Sequence, residues 1–282
     1  MQSDLIEEFT ATAGRILIPR FSPRLSGRLF CWDNMPVTKK LSSYQQWIEF
    51  LIRRFDRGGA YGLFFTVGLG VIAVAMWAFG ALLQDVLAGK EIALFDRPIV
   101  IFFAQHRVSW VTTAMRAATL LGTAWFIVSL VLGAGFILGV RAHSWRPFLL
   151  LGAAAGGAGL LDFIAKVVIA RPRPPAVWMV GPVTGFSFPS GHSAEAAVYG
   201  MLAYLVARPC STSRGKVLAW ALAGVVSIVI GMSRVYLGVH WPTDVMGGWA
   251  LAAMWLAMLL TGVHAIQAAR SRASGKGSSE AK

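Results

Sequence analysis

Acid is scarce in this chain: Asp and Glu together number 13 against 26 Lys and Arg, and charged residues of both signs reach only 14% of 282. So little charge excludes the solvated surface of an ordinary soluble domain. Cysteine is nearly absent. Cys31 and Cys210 stand alone, without metal-ligating neighbours. No Asp, Glu or His cluster has metal-ligand spacing, and no phosphate-cradling Gly-rich motif of nucleotide enzymes is present; neither a metal nor another cofactor is expected. The first thirty residues mix charges with apolar residues and hold no continuous apolar core, so no cleavable signal peptide is expected.

Apolar residues take the place of charge, at 56% of the chain with a mean hydropathy of +0.61. A hydrocarbon core of ~30 Å needs about 20 apolar residues per helix. Six stretches answer to that, at 61–87, 118–140, 147–170, 190–207, 217–237 and 242–266, the fourth being the shortest. They predict an all-α, polytopic membrane bundle of six transmembrane helices over 60–266, between an N-terminal region at 1–59 and a disordered tail at 267–282.

The net charge of +13 follows this threading. Most Lys and Arg fall before Tyr61, at 141–146, at 208–216 and from Arg270 onward, which all lie on one side of an alternating path. The positive-inside rule puts both termini in the cytoplasm. The basic excess is then anchorage against anionic membrane lipids, and no nucleic acid partner is expected. Both cysteines fall on the reducing side, so no disulfide is expected.

Pro19, Pro23 and Pro36 predict an irregular start. Within it, Tyr44, Trp47, Ile48, Leu51 and Phe55 recur at helical spacing with polar residues opposite, which predicts an interfacial amphipathic helix over 43–57. The stretch 89–116 is too broken to span. Its run 98–104 reads either as an outer-surface helix roofing a site, with Asp96 near its cap, or as a plain connector. The Pro- and Gly-rich stretch 171–188 predicts a shaped outer loop in which Trp178 and Met179 are candidates to line an entrance.

Chemistry gathers in three short motifs. Lys166 and Arg173-Pro174 are separated by six residues; Pro189-Ser190-Gly191-His192 opens the fourth stretch; Ser233-Arg234 and His240 are separated by five residues, and His240 and Asp244 by three. Ionisable side chains beside membrane spans are costly and mark function. His240 and Asp244 are four apart with Pro242 between them, so a helix starting here carries both on one face and lets the carboxylate orient the ring. Asp162, one turn before Lys166, reads as its counter-charge. Arg171 reads as a near-site or interface charge. Glu195, one turn beyond His192, reads as a tuner of that histidine, as a ligand of a lipid headgroup or as an internal helix contact. His106, His143 and His264 read as bland.

With all three motifs in this order, the chain resembles the type 2 phosphatidic acid phosphatase family over 61–266. The resemblance implies a membrane lipid phosphate phosphatase without a metal. In it His240 attacks phosphorus, Asp244 orients His240, and His192 protonates the leaving group. Lys166, Arg173, Ser190, Gly191 and Arg234 hold the phosphoryl oxygens. It implies a bacterial plasma-membrane location with the site facing outward. Candidate substrates are undecaprenyl diphosphate, phosphatidylglycerol phosphate, phosphatidic acid and lipid A. Vanadium haloperoxidases share such anion-binding motifs but are soluble. A non-catalytic lipid-phosphate binder or transporter is the alternative; it would need the cations but not the His240–Asp244 pair.

Overall fold

The structure, a computed structural model, describes residues 62–88 and 94–280. The helix expected over 43–57 lies outside the described residues. Among the described residues the fold is all-helical, with no strand. In chain order the helices are α1 (Leu63–Ala88), α2 (Asp96–Gln105), α3 (Ser109–Leu120), α4 (Ala124–Ala142), α5 (Arg146–Ile169), α6 (Gly191–Ala194), α7 (Ala196–Ala207), α8 (Ser213–Tyr236) and α9 (Pro242–Glu280). A 3-10 turn at Ala176–Trp178 sits in the long loop before α6.

Five of these, α1, α4, α5, α8 and α9, are long and apolar enough to cross a membrane. Their outward faces carry bare apolar side chains such as Trp77, 74% exposed, and Val168, as helices bathed in hydrocarbon do. The fourth expected span is built differently. It divides at Glu195 into α6 and α7, and the 12 residues of α7 rise only about 18 Å at 1.5 Å per residue. What α7 lacks in length it recovers in burial. Ala197, Val198, Gly200, Met201 and Ala203 are enclosed, and Val198, Tyr199 and Met201 share a core with Ile127 and Val131 of α4, Leu151 and Ala154 of α5 and Ile230 of α8.

Three boundaries differ from the expected ones. The second span starts at Ala124, because α3 ends at Leu120 and Thr123 caps α4 by accepting from the Phe126 amide. The expected short helix of 98–104 is present as α2 and runs somewhat longer, over Asp96–Gln105, with Asp96 in its first turn next to the N-cap Phe95. The tail from Gln267 prolongs α9 to Glu280 instead of being irregular; Gln, Ala and Arg at its start are good helix formers.

Close approach of backbones fixes the bundle. The Trp255 ring of α9 lies across Gly157 of α5, where an added Cβ would come 2.0 Å from Cζ2. Its Nε1 donates to the Ala153 carbonyl at 3.0 Å. Gly157→Val is expected to cost about 1–3 kcal/mol by overpacking. A thermal-unfolding scan in detergent checks this: the midpoint should drop for Gly157→Val and stay level or rise for Gly159→Ala, whose Cβ meets only open space.

Candidate active site

The site grows from the turn between α8 and α9. Gly238 takes φ +72 there, a left-handed conformation that suits glycine. An added Cβ would lie 2.0 Å from the Trp178 carbonyl oxygen, so a side chain is barred twice over. The turn brings His240, 2% exposed, to the start of α9, and one helical turn later Asp244, 0% exposed. His240 Nδ1 lies 3.3 Å from Asp244 Oδ2. That oxygen also accepts from the Trp241 amide at 2.8 Å and from Ser187 Oγ. The Trp241 bond is the reach-back of a capping box, so the same carboxylate starts the helix and holds the ring.

The far side of the ring faces a cation. Arg173 Nη1 lies 3.1 Å from His240 Nε2, and it donates to the Val239 carbonyl at 2.8 Å while Nε donates to the Gly185 carbonyl at 3.0 Å. A guanidinium only donates, so Nε2 carries the lone pair and Nδ1 the proton shared with Asp244. Burial, with help from the Arg234 and Arg173 charges, pulls the His240 pKa down to about 4 against the upward pull of Asp244. At neutral pH the imidazole is therefore neutral, with an electron pair at Nε2 that accepts from Arg173.

The motif at the start of α6 packs against this dyad. The Ser190 amide donates to the Asp244 carbonyl at 2.9 Å, and the Ser190 hydroxyl is buried without a hydrogen-bond partner in the protein. Gly191 has no side chain where Lys166 and Asp162 arrive: an added Cβ would meet Asp162 Oδ2 at 2.9 Å and Lys166 Nζ at 3.3 Å. Lys166 Nζ holds both carboxylate oxygens of Asp162, at 2.5 and 2.6 Å. His192 rests against Gly122 and lies within electrostatic reach of Arg234, His240, Lys166 and Arg173. Arg234 is buried near the end of α8, with Nη1 donating to Thr119 Oγ1 at 2.8 Å and Nε lacking a protein partner. Lys166, Arg173, Ser190, Gly191, His192, Arg234, His240 and Asp244 thus converge at one end of the bundle. Four of them bring positive charge or buried hydroxyl hydrogen, which suits a phosphoryl group with its negative oxygens.

Four other residues contact Asp244 or its turn; the sequence marks Arg171 only as a near-site or interface charge and does not reveal these partnerships. Arg171 Nη1 donates to Asp244 Oδ1 at 2.5 Å and Nη2 to Asp96 Oδ2 at 2.7 Å. Thr243 and Ser187 complete the group. A further hint in the sequence is that an Asp in an apolar stretch needs a partner. Glu195 stays apart from these, with Oε2 buried and unpartnered. His106 and His264 bond carbonyls of their own helices, Phe102 and Leu260, each at 2.8 Å, and His143 is the C-cap of α4. Among the described residues no three His, Cys, Asp or Glu side chains are grouped as metal ligands.

Comparison with known proteins identifies the family. Residues 147–268 match the family model of the PAP2 superfamily. Phosphatidylglycerophosphatase B of Bacillus subtilis (strain 168) is 33% identical over 183 residues, covering 64% of this chain and 89% of that protein. An undecaprenyl-diphosphatase of Sulfolobus acidocaldarius is 32% identical over 105 residues, 36% of this chain and 47% of that one. The crystal structure of a transmembrane PAP2 type phosphatidylglycerolphosphate phosphatase from Bacillus subtilis superposes with a TM-score of 0.60 at 33% identity, covering 67% of this chain and 94% of that one. On these matches, and with its three motifs gathered at one end of a helical membrane bundle, the chain belongs to the PAP2 superfamily.

Proposed function

We propose that this integral membrane protein hydrolyses a lipid phosphate or diphosphate through a phosphohistidine, without a metal, at the outer face of a bacterial plasma membrane. Family membership and the named relatives make it a phosphatase of lipid phosphates. The observation that carries the mechanism is the His240 ring, tethered at Nδ1 and presenting a lone pair at Nε2 beside Arg173.

The steps follow from that placement. The Nε2 pair attacks phosphorus, the P–O bond to the lipid breaks, and the leaving oxygen takes a proton from His192. The negative charge of a substrate phosphate bound beside His192 would favour that proton against the surrounding cations. Water then attacks the phosphohistidine, His192 takes its proton, the Nε2–P bond breaks to restore the His240 lone pair, and inorganic phosphate leaves. Lys166, Arg173, Ser190, Gly191 and Arg234 hold the equatorial oxygens, where charge accumulates in a loose phosphoryl transfer.

The outward orientation is supported by the distribution of Lys and Arg. If α6 and α7 together complete a sixth crossing, the positive-inside rule favours cytoplasmic termini and a site on the periplasmic or extracellular side. The substrate is an amphiphile whose phosphate sits at headgroup depth, and phosphatidylglycerol phosphate and undecaprenyl diphosphate are the first to test. Purified protein in detergent is to be offered these two, phosphatidic acid and lipid A, with phosphate release measured. Turnover of at least one should persist in EDTA and be inhibited by vanadate. Strict dependence on a divalent cation, or binding of all four without release, would reject the proposal.

A further inference from the structure

Asp96 lies on α2 and is 2% exposed, yet it serves α9. Its Oδ1 accepts from the Thr243 amide at 2.9 Å and its Oδ2 from Thr243 Oγ1 at 2.5 Å. First-turn amides have no partner within their own helix, so Asp96 caps α9 from a different helix, 147 residues away in sequence. Arg171 closes the circuit. One of its Nη atoms holds Asp96, and the other holds both Asp244 Oδ1 at 2.5 Å and Thr243 Oγ1 at 2.7 Å. The Thr243 hydroxyl accepts from Arg171 and donates to Asp96, so each polar atom has a consistent role.

Arg171 differs from Arg173 in what its guanidinium faces. Both of its Nη atoms are committed to carboxylates on the side of Asp244 away from the His240 ring, whereas Arg173 meets Nε2, where phosphorus would bond. We infer that Arg171, fixed by Asp96, is a positioning residue that locks Asp244 toward His240 and sets how strongly that carboxylate holds the imidazole proton. This rests on His240 as the nucleophile.

The charged and titratable groups around His240 are Asp244 on α9, Arg171 and Arg173 on the loop after α5, Arg234 on α8, His192 on α6 and the Lys166–Asp162 pair on α5, with Asp96 of α2 behind Arg171. Within this set, the sign of each change can be worked out. Without the Arg171 cation, the full charge of Asp244 acts on His240, imidazolium is favoured, and the pH below which activity is lost rises. Without the Asp96 charge, Arg171 neutralises Asp244 more fully, and that pH falls.

The test compares kcat/KM against pH for wild type, Arg171→Met, Arg171→Lys, Asp96→Asn and His240→Ala, by phosphate release from phosphatidic acid in detergent micelles. The ionisation of the lipid is common to all, so differences between variants belong to the protein. Arg171→Met should move the acidic limb up by about one pH unit, in the range of a neighbouring charge. Its kcat should fall about 10- to 100-fold, as when a group behind a catalytic ligand is lost, with KM unchanged. Arg171→Lys should restore the wild-type limb and part of kcat. Asp96→Asn should move the limb down, and it decides the matter if Arg171→Met does not fold. A raised KM with an unmoved limb in Arg171→Met would make Arg171 a phosphate ligand and overturn the inference; so would a wild-type profile in Asp96→Asn. Activity surviving in His240→Ala would instead reject the underlying mechanism, whatever the other variants do.

Discussion

His240→Ala is expected to lower phosphate release by on the order of 10⁴-fold or more, the scale on which covalent catalysts lose rate when the nucleophile is removed. No other side chain is placed to substitute. His192 is the one other imidazole in the cluster, and it rests against Gly122 without the Asp244 tether that fixes the His240 tautomer. The lipid should still bind, because the cations that recognise phosphate remain. Phosphate release together with equilibrium binding to lipid micelles checks this. Wild-type turnover in the variant would remove the phosphohistidine from the account.

Asp244→Asn is expected to be nearly as damaging, about 10³- to 10⁴-fold in kcat, although it replaces one oxygen by a nitrogen. The side chain is surrounded by donors: the Trp241 amide, Ser187 Oγ, His240 Nδ1–H and Arg171 Nη1–H. A carboxylate accepts from all of them. An amide has a single oxygen, so its NH₂ must face either Arg171 or His240. Facing Arg171, two donors oppose each other; facing His240, the amide donates to Nδ1 and drives the ring proton to Nε2, where attack on phosphorus needs a lone pair. Single-turnover kinetics with KM measured alongside would check it, with kcat falling and KM steady.

What could be read in the sequence was local. His240 and Asp244 are four apart on one helix, and Asp162 and Lys166 are four apart on another, so helical periodicity alone brings each pair together. Apolar run length similarly marked the five long helices. What escaped were partnerships made by tertiary packing. Arg171 and Asp96 are 75 residues apart, and nothing in the composition of α2 says that its first acid will cap α9. The division at Glu195 of the stretch expected as a fourth span was also hidden. An apolar run looks the same whether it meets lipid or lies enclosed by other helices as α7 does. The prolonged C-terminal helix was missed for a related reason, since Ser, Gly and Lys near the end suggested coil more strongly than the preceding Ala and Arg suggested helix.

Arg173 at Nε2 has a consequence for the order of events in each cycle. On the proposed phosphohistidine route one electron pair cannot serve both an arginine N–H and a phosphorus atom, so the guanidinium would have to let go as the new bond forms. It would be released at the moment when negative charge builds on the oxygens beside it, and would return when water frees the ring. A single cation would thereby act as a turnstile, quieting the nucleophile between rounds and then following the charge it has let through.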